Sequence, residues 1–172
     1  FAQDGGAFLM LSSDGTPKIE AASGSGTGTY TFNVPIQLAK TAEFNPVGGN
    51  LVFNAAITNG GYWINVYGNL QKTLTIGGVL TGSGGVANKQ DNIVILTNNN
   101  AFTGGIWVEK GTVQLANHTN AIGLTPTLNV GTNATLDFQG SGTMWPTAIN
   151  LYGTGTNATM GALRKTTSGA LT

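Results

Sequence analysis

Three kinds of residue in this chain could do chemistry: one histidine, seven scattered carboxylates and a set of aromatic side chains. The histidine, His118, sits in Ala116-Asn-His-Thr-Asn120 just past an apparent strand, and the nearest acid in sequence is Glu109. A metal or a general base needs converging partners, so His118 reads as an exposed corner residue. The acids Asp4, Asp14, Glu20, Glu43, Asp91, Glu109 and Asp137 are spread singly. Acid/base or Ca²⁺ chemistry on a repeated β scaffold needs two or three carboxylates projecting from adjacent repeats. Glu109 and Asp137 could face each other one repeat apart, but alternation within Leu136-Asp-Phe138 makes Asp137 a plain outward residue. The chain has no Gly-Gly-x-Gly-x-Asp run for calcium, and no helix with Lys-Thr or Lys-Ser follows Thr81–Gly85, so that stretch is a corner and not a phosphate cradle. The expectation is no catalytic residue, no metal, no cofactor and no enzyme.

The aromatics invite a sugar-stacking role, with Trp63, Tyr67 and Trp107 as candidate exposed contacts. Alternation separates Tyr62, Ile64 and Val66 from Trp63 and Tyr67, which argues against a single aromatic platform and favours packing. Glu109-Lys110 before Gly111 reads as a solvated turn pair. Asn117-His-Thr, Asn133-Ala-Thr and Asn157-Ala-Thr fit the glycosylation acceptor pattern, as a chain this rich in Asn and Thr does by chance.

Composition narrows the partners. Charged residues make up 8% of the 172, and the seven acids and seven bases cancel to a net charge of zero. Long-range attraction to nucleic acid or anionic lipid therefore has no source. The apolar fraction is 40%, in short regular groups, so the chain is ordered while Gly, Thr and Asn carry its polar surface. Lack of cysteine suits passage through an oxidising compartment. No run of about eighteen apolar residues is present to span a membrane as a helix. The opening FAQDGG fits either a mature secreted terminus or an excised fragment.

Strands of four to six residues alternate with Gly- and Asn-containing corners, and no 3.6-residue stripe persists. The stretch Asn100-Ala-Phe-Thr-Gly-Gly-Ile-Trp-Val-Glu-Lys-Gly-Thr-Val-Gln-Leu115 reads as strand, turn, strand. Two such strands bury too little alone and must stack on other copies. An antiparallel sandwich is the alternative, but its hairpins favour two-residue Asn-Gly loops. Here a corner feeds a similar strand about 20 residues later, as a three-sided coil requires. The fold expected is a right-handed parallel β-helix, with divergent rungs over 1–49 and regular repeats over 50–172. At that period the chain makes some eight or nine rungs at about 4.8 Å each, with Ile93, Ile95, Val108, Val113, Leu115, Leu128, Val130, Leu136 and Phe138 stacked inward and Asn ladders at the corners.

The runs Leu74-Thr-Ile-Gly-Gly-Val-Leu-Thr-Gly-Ser-Gly-Gly85, Ile93-Val-Ile-Leu-Thr97, Asn100-Ala-Phe-Thr-Gly-Gly105 and Gly111-Thr-Val-Gln-Leu115 resemble the autotransporter-associated β-strand repeat. The resemblance continues through Asn120-Ala-Ile-Gly123, Leu128-Asn-Val130, Thr135-Leu-Asp-Phe138 and Ile149–Arg164. It covers residues 50–165 well and 1–49 loosely. It implies a right-handed parallel β-helix in the passenger of a secreted bacterial protein, displayed at the cell surface, without catalytic residues and often in tandem within long chains. Where the family shows Lys-Thr-Gly-x-Gly, this chain has Val86-Ala-Asn-Lys-Gln-Asp91, which predicts a local bulge or longer loop.

Open solenoid ends present unpaired backbone unless covered. Gly161-Ala-Leu163 echoes Gly6-Ala-Phe8, so an inter-subunit joint is expected at Gly6, Ala7, Phe8, Gly161, Ala162, Leu163, Arg164 and Lys165. The leading reading is a non-enzymatic extracellular structural or adhesive solenoid, stacking head to tail or onto neighbouring repeats of a longer chain. A glycan-binding adhesin module of a longer passenger is the alternative, and a polysaccharide-cleaving β-helix comes third.

Overall fold

The chain bends at every glycine- and asparagine-rich corner and returns to its starting direction three corners later. The computed structural model describes residues 9–12, 14–22, 28–116, 121–124, 127–139, 148–156 and 161–166. The turns are built from β1 (Leu9–Leu11), β2 (Lys18–Ala21) and β3 (Thr29–Phe32), then β4 (Ile36–Leu38), β5 (Ala42–Pro46) and β6 (Asn50–Phe53), then β7 (Ile57–Thr58), β8 (Ile64–Val66) and β9 (Thr73–Ile76). A fourth turn holds β10 (Leu80–Gly82), β11 (Val86–Asn88) and β12 (Ile93–Leu96), and a fifth β13 (Ala101–Phe102) and β14 (Ile106–Leu115). Beyond these lie β15 (Thr127–Phe138), β16 (Ala148–Leu151) and β17 (Leu163–Lys165).

Each strand pairs in parallel with the strand one turn away. The first face stacks β1, β4, β7, β10 and β13. The second stacks β2, β5, β8, β11, the first half of β14, the first half of β15 and β16. The third stacks β3, β6, β9, β12, the second halves of β14 and β15, and β17. The fold is thus a parallel β-solenoid of about five complete turns, its second and third faces continuing to a sixth and seventh level. The step between turns varies from 19 residues (Val94 to Val113) to 27 (Leu136 to Leu163). That spread is why a fixed period of about 20 overcounts the rungs: among the described residues the faces with most levels have seven, not eight or nine.

Inward residues form one continuous core from Leu11 to Ala162. Phe32, Phe53 and Phe44 stack in series, with ring centroids 4.8 and 4.7 Å apart. Val108, Val113, Leu115, Leu128, Val130, Leu136 and Phe138 point inward as expected, but Ile93 and Ile95 do not. All four residues of Ile93-Val-Ile-Leu96 are apolar, so alternation cannot choose their phase. Register chooses it: Val94 lies between Leu74 and Val113, and Leu96 between Ile76 and Leu115. A one-residue slip would turn the whole strand inside out.

The corners close through buried amides. Asn100 Oδ1 accepts from Leu80 N–H at 2.8 Å while its Nδ2 donates to the Ala121 carbonyl at 2.9 Å, joining the turn before it to the turn after it. Asn59 Oδ1 accepts from Gly61 and Gly84 N–H, and Asn92 Oδ1 from Gly68 N–H. Asn88 occupies an inward place between Val66 and Val108, and its Nδ2 donates to the carbonyls of Asn92, Lys110 and Thr112. Outside, Asn33–Asn54 makes an expected corner ladder at 3.0 Å, and Asn129–Asn150 makes a further ladder within the strands of the second face at 2.9 Å.

The altered corner at Val86–Asp91 is not an unusually long loop: residues 89–92 separate β11 from β12, as 47–49 separate β5 from β6 and 67–72 separate β8 from β9, whereas β14 and β15 run through the same corner unbroken. The register shift falls higher, between Val108 and Lys110. Gly111 fits beneath with φ 66°, and a Cβ on it would lie 2.4 Å from the Asn92 carbonyl oxygen and 2.5 Å from that of Gln90.

Asn100→Leu should lower stability by about 2–4 kcal/mol, because it orphans a buried donor and a buried acceptor together. The ladder variant Asn54→Ala should stay within about 0.5 kcal/mol of the parent. Denaturant unfolding followed by circular dichroism checks both.

Candidate binding surface

The second face carries the side chains most able to meet a partner. Its inward residues, Ile64, Val66, Val86, Ile106, Val108, Leu128 and Val130, are buried. The residues between them point out. One register column runs Glu43, Asn65, Ala87, Trp107, Asn129 and Asn150 along the solenoid axis. Trp107 is 45% exposed in the middle of it. Trp63 stands just before β8, where its backbone N–H donates to Thr41 Oγ1 at 3.3 Å. Its ring covers Gly85: a Cβ there would meet ring carbons at 2.8 Å.

Small residues at alternate levels leave concavities between these aromatics. One, of about 410 Å³, has Ala87 and Asn65 in its wall, with Trp63, Trp107, Thr41 and Lys89 around it. The second, of about 430 Å³, lies on the other side of Trp107 and is lined by Glu109, Asn129, Gly131, Thr132 and Tyr152. Trp107 is the wall they share. Between them, Lys89 Nζ and Glu109 Oε1 form an ion pair, and the same ammonium lies 5.3 Å from the Trp107 ring centroid. Glu109 is therefore tied to Lys89 of the preceding turn and is not half of a solvated pair with Lys110.

Of the candidate contacts, Trp107 is exposed while Trp63 and Tyr67 are only half-buried, and Tyr67 lines neither concavity. Tyr152, 63% exposed, was not legible as a partner of Trp107, since its place depends on the uneven turn lengths between β14 and β16. Of the expected joint residues, Gly6, Ala7 and Phe8 lie outside the described residues, as do His118 and Trp145. Leu163, Arg164 and Lys165 form β17, the last level of the third face, with Ala162 buried and Gly161 exposed beside it. Leu163 is 43% exposed, and Arg164 lies in register with Asp137.

Asp137 departs from expectation. It is 2% exposed, accepting hydrogen bonds from Thr166 Oγ1 and, at 3.2 Å, from Gln139 Nε2. The strand alternates as expected, but neighbours at Gln114 and Arg164 cover this outward position. Glu109 is not its register partner. Among the described residues, adjacent turns bring Glu20 and Glu43 together on Lys18 Nζ, at 3.8 and 3.4 Å. Their 23-residue separation, close to one turn, is the signal for that juxtaposition. Among the described residues, no three His, Cys, Asp or Glu side chains converge as a metal site would require.

Replacing Lys89 with Met should cost no more than about 1 kcal/mol, since both partners are partly solvated. A double-mutant cycle with Glu109→Gln should return a coupling of about 0.5 kcal/mol or more.

Comparison of the chain with protein-family models, with curated proteins and with solved structures yields no match, so its function is argued from its own geometry.

Proposed function

We propose that this chain is a non-enzymatic extracellular structural element, a rigid β-solenoid that extends by stacking end to end. One observation supports the reading above others: several core columns continue into the outermost described turns and are exposed there, although Leu11, Ala21 and Ala162 in the same turns stay buried. Leu9 is 39% exposed although its register partner Ile36 is 2% exposed. At the other end Leu151 and Leu163 are 48% and 43% exposed, over Val130 and Leu136, which are fully buried. Apolar side chains of inward parity at an end are what another turn would cover. The occupant proposed is a second copy of this chain, its first turn on the last turn of its neighbour, a heterologous contact that does not close.

An extracellular bacterial setting is supported by the lack of cysteine, by a surface of neutral amides and hydroxyls in place of charges, and by the likeness to passenger repeats. The joint centres on Leu151, Leu163 and Leu9, with Arg164 and Lys165 beside it.

Raising the protein concentration should produce fibres in electron micrographs with an axial repeat of about 34 Å, seven levels at about 4.8 Å. Leu151→Asp should leave the fold intact and abolish them. Single rods at every concentration would refute self-stacking.

A further inference from the structure

We propose that the second face carries an axial groove for an uncharged, extended polysaccharide, with Trp63, Trp107 and Tyr152 as stacking anchors. The three aromatics stand at the third, fifth and seventh levels of that face, so each lies two levels from the next, about 10 Å along the axis. Each is also two register positions further across the face: Ile64 pairs with Val86 and Val86 with Ile106, while Val108 pairs with Val130 and Val130 with Leu151. The anchors therefore follow an oblique line that moves sideways by about 7 Å per step. Two pyranose rings of an extended chain span such a step.

The intervening levels are kept low. Gly85 and Ala87 lie between Trp63 and Trp107, and Asn129 and Gly131 between Trp107 and Tyr152, leaving the two concavities of about 410 and 430 Å³ on either side of Trp107. Pyranose rings offer flat C–H faces to indole and phenol rings and hydroxyls at their edges. Here the edges would meet Asn65, Thr41, Asn129 and Thr132, which both donate and accept. Charge selects the class. Among the described residues the only charged groups lining the concavities, Lys89 and Glu109, neutralise each other, so neither a polyanion nor a polycation gains from this groove. A strand-like peptide is a poorer fit, because both concavities lie mid-face and not at a free sheet edge.

The groove does not depend on end-to-end stacking, since a single rod presents it in full. Its test is titration of the intact chain with unbranched β-1,4-linked hexasaccharides of glucose, xylose, mannose and N-acetylglucosamine, read by tryptophan fluorescence and calorimetry. At least one should bind, and at least about tenfold more tightly than its disaccharide, because only the longer chain reaches both concavities. Trp107→Ala should weaken that hexasaccharide by roughly tenfold or more, as expected for a lost ring contact at a shared wall. Tyr67→Ala, outside both concavities, should leave it unchanged, and Ala87→Leu should weaken it by filling the notch while retaining every aromatic. Thermal unfolding checks that each variant is folded. The proposal is overturned if no hexasaccharide binds at millimolar concentration, if folded Trp107→Ala binds like the parent, or if oligogalacturonate binds as well as the neutral series.

Discussion

Every turn of this molecule must land in register on the turn before it. Parallel pairing fixes each backbone donor and acceptor to a strand 19 to 27 residues away. The inward columns then stack like on like, Leu74 under Val94 under Val113 under Leu136. Registration has to survive three corners per turn, where the chain bends and its backbone groups leave the ladder. Buried asparagines hold it there. Asn100 spans three successive turns with one side chain, and Asn88 gathers three carbonyls at the corner where β11 gives way to β12. Asn100 does this because its amide both donates and accepts without carrying a charge that burial would penalise, whereas Asn88 uses its amide only as a donor.

The same arithmetic determines what the surface presents. A side chain on a solenoid has its nearest outward neighbours a turn away and not beside it in sequence. Function is therefore written in columns. Trp107 between Ala87 and Asn129, and Lys89 beside Glu109, are juxtapositions of this kind. So is Lys18 beside Glu43, its register partner one turn away, although the same ammonium also meets Glu20 on its own strand. With amides and hydroxyls making the ladders, surface cohesion needs few ions, which leaves a neutral face on which aromatic rings are the distinctive feature. The apolar side chains exposed at the outermost described turns and the aromatic face are separate features, and the two proposals made from them stand independently.

The sequence carried the class of fold because Gly, Asn and Thr at short intervals exclude helix and because the strands repeat one pattern at long range. It did not carry the phase of Ile93-Val-Ile-Leu96, where an unbroken apolar run leaves no alternation to follow and only contact with Leu74 and Val113 decides. Asp137 escaped for a related reason. Strand parity correctly set it off the core, but parity says nothing about whether an outward position is covered by the turn beyond. The aromatic line was half visible: Trp63 and Trp107 could be named, whereas their relation to Tyr152 depends on turn lengths that corners such as 89–92 set one residue at a time. A bulge and a glycine at Gly111 are enough to move a side chain from one column to the next.

The most direct measurement of the stacking on which all of this depends is the set of interstrand nuclear Overhauser contacts of the isotope-labelled chain. In-register parallel stacking predicts backbone contacts joining Asn65 to Ala87 and Ala87 to Trp107, with the same pattern from Leu74 to Val94 to Val113. Hairpin contacts between strands adjacent in sequence, such as β11 with β12, would contradict the solenoid and with it both the open ends and the aromatic line.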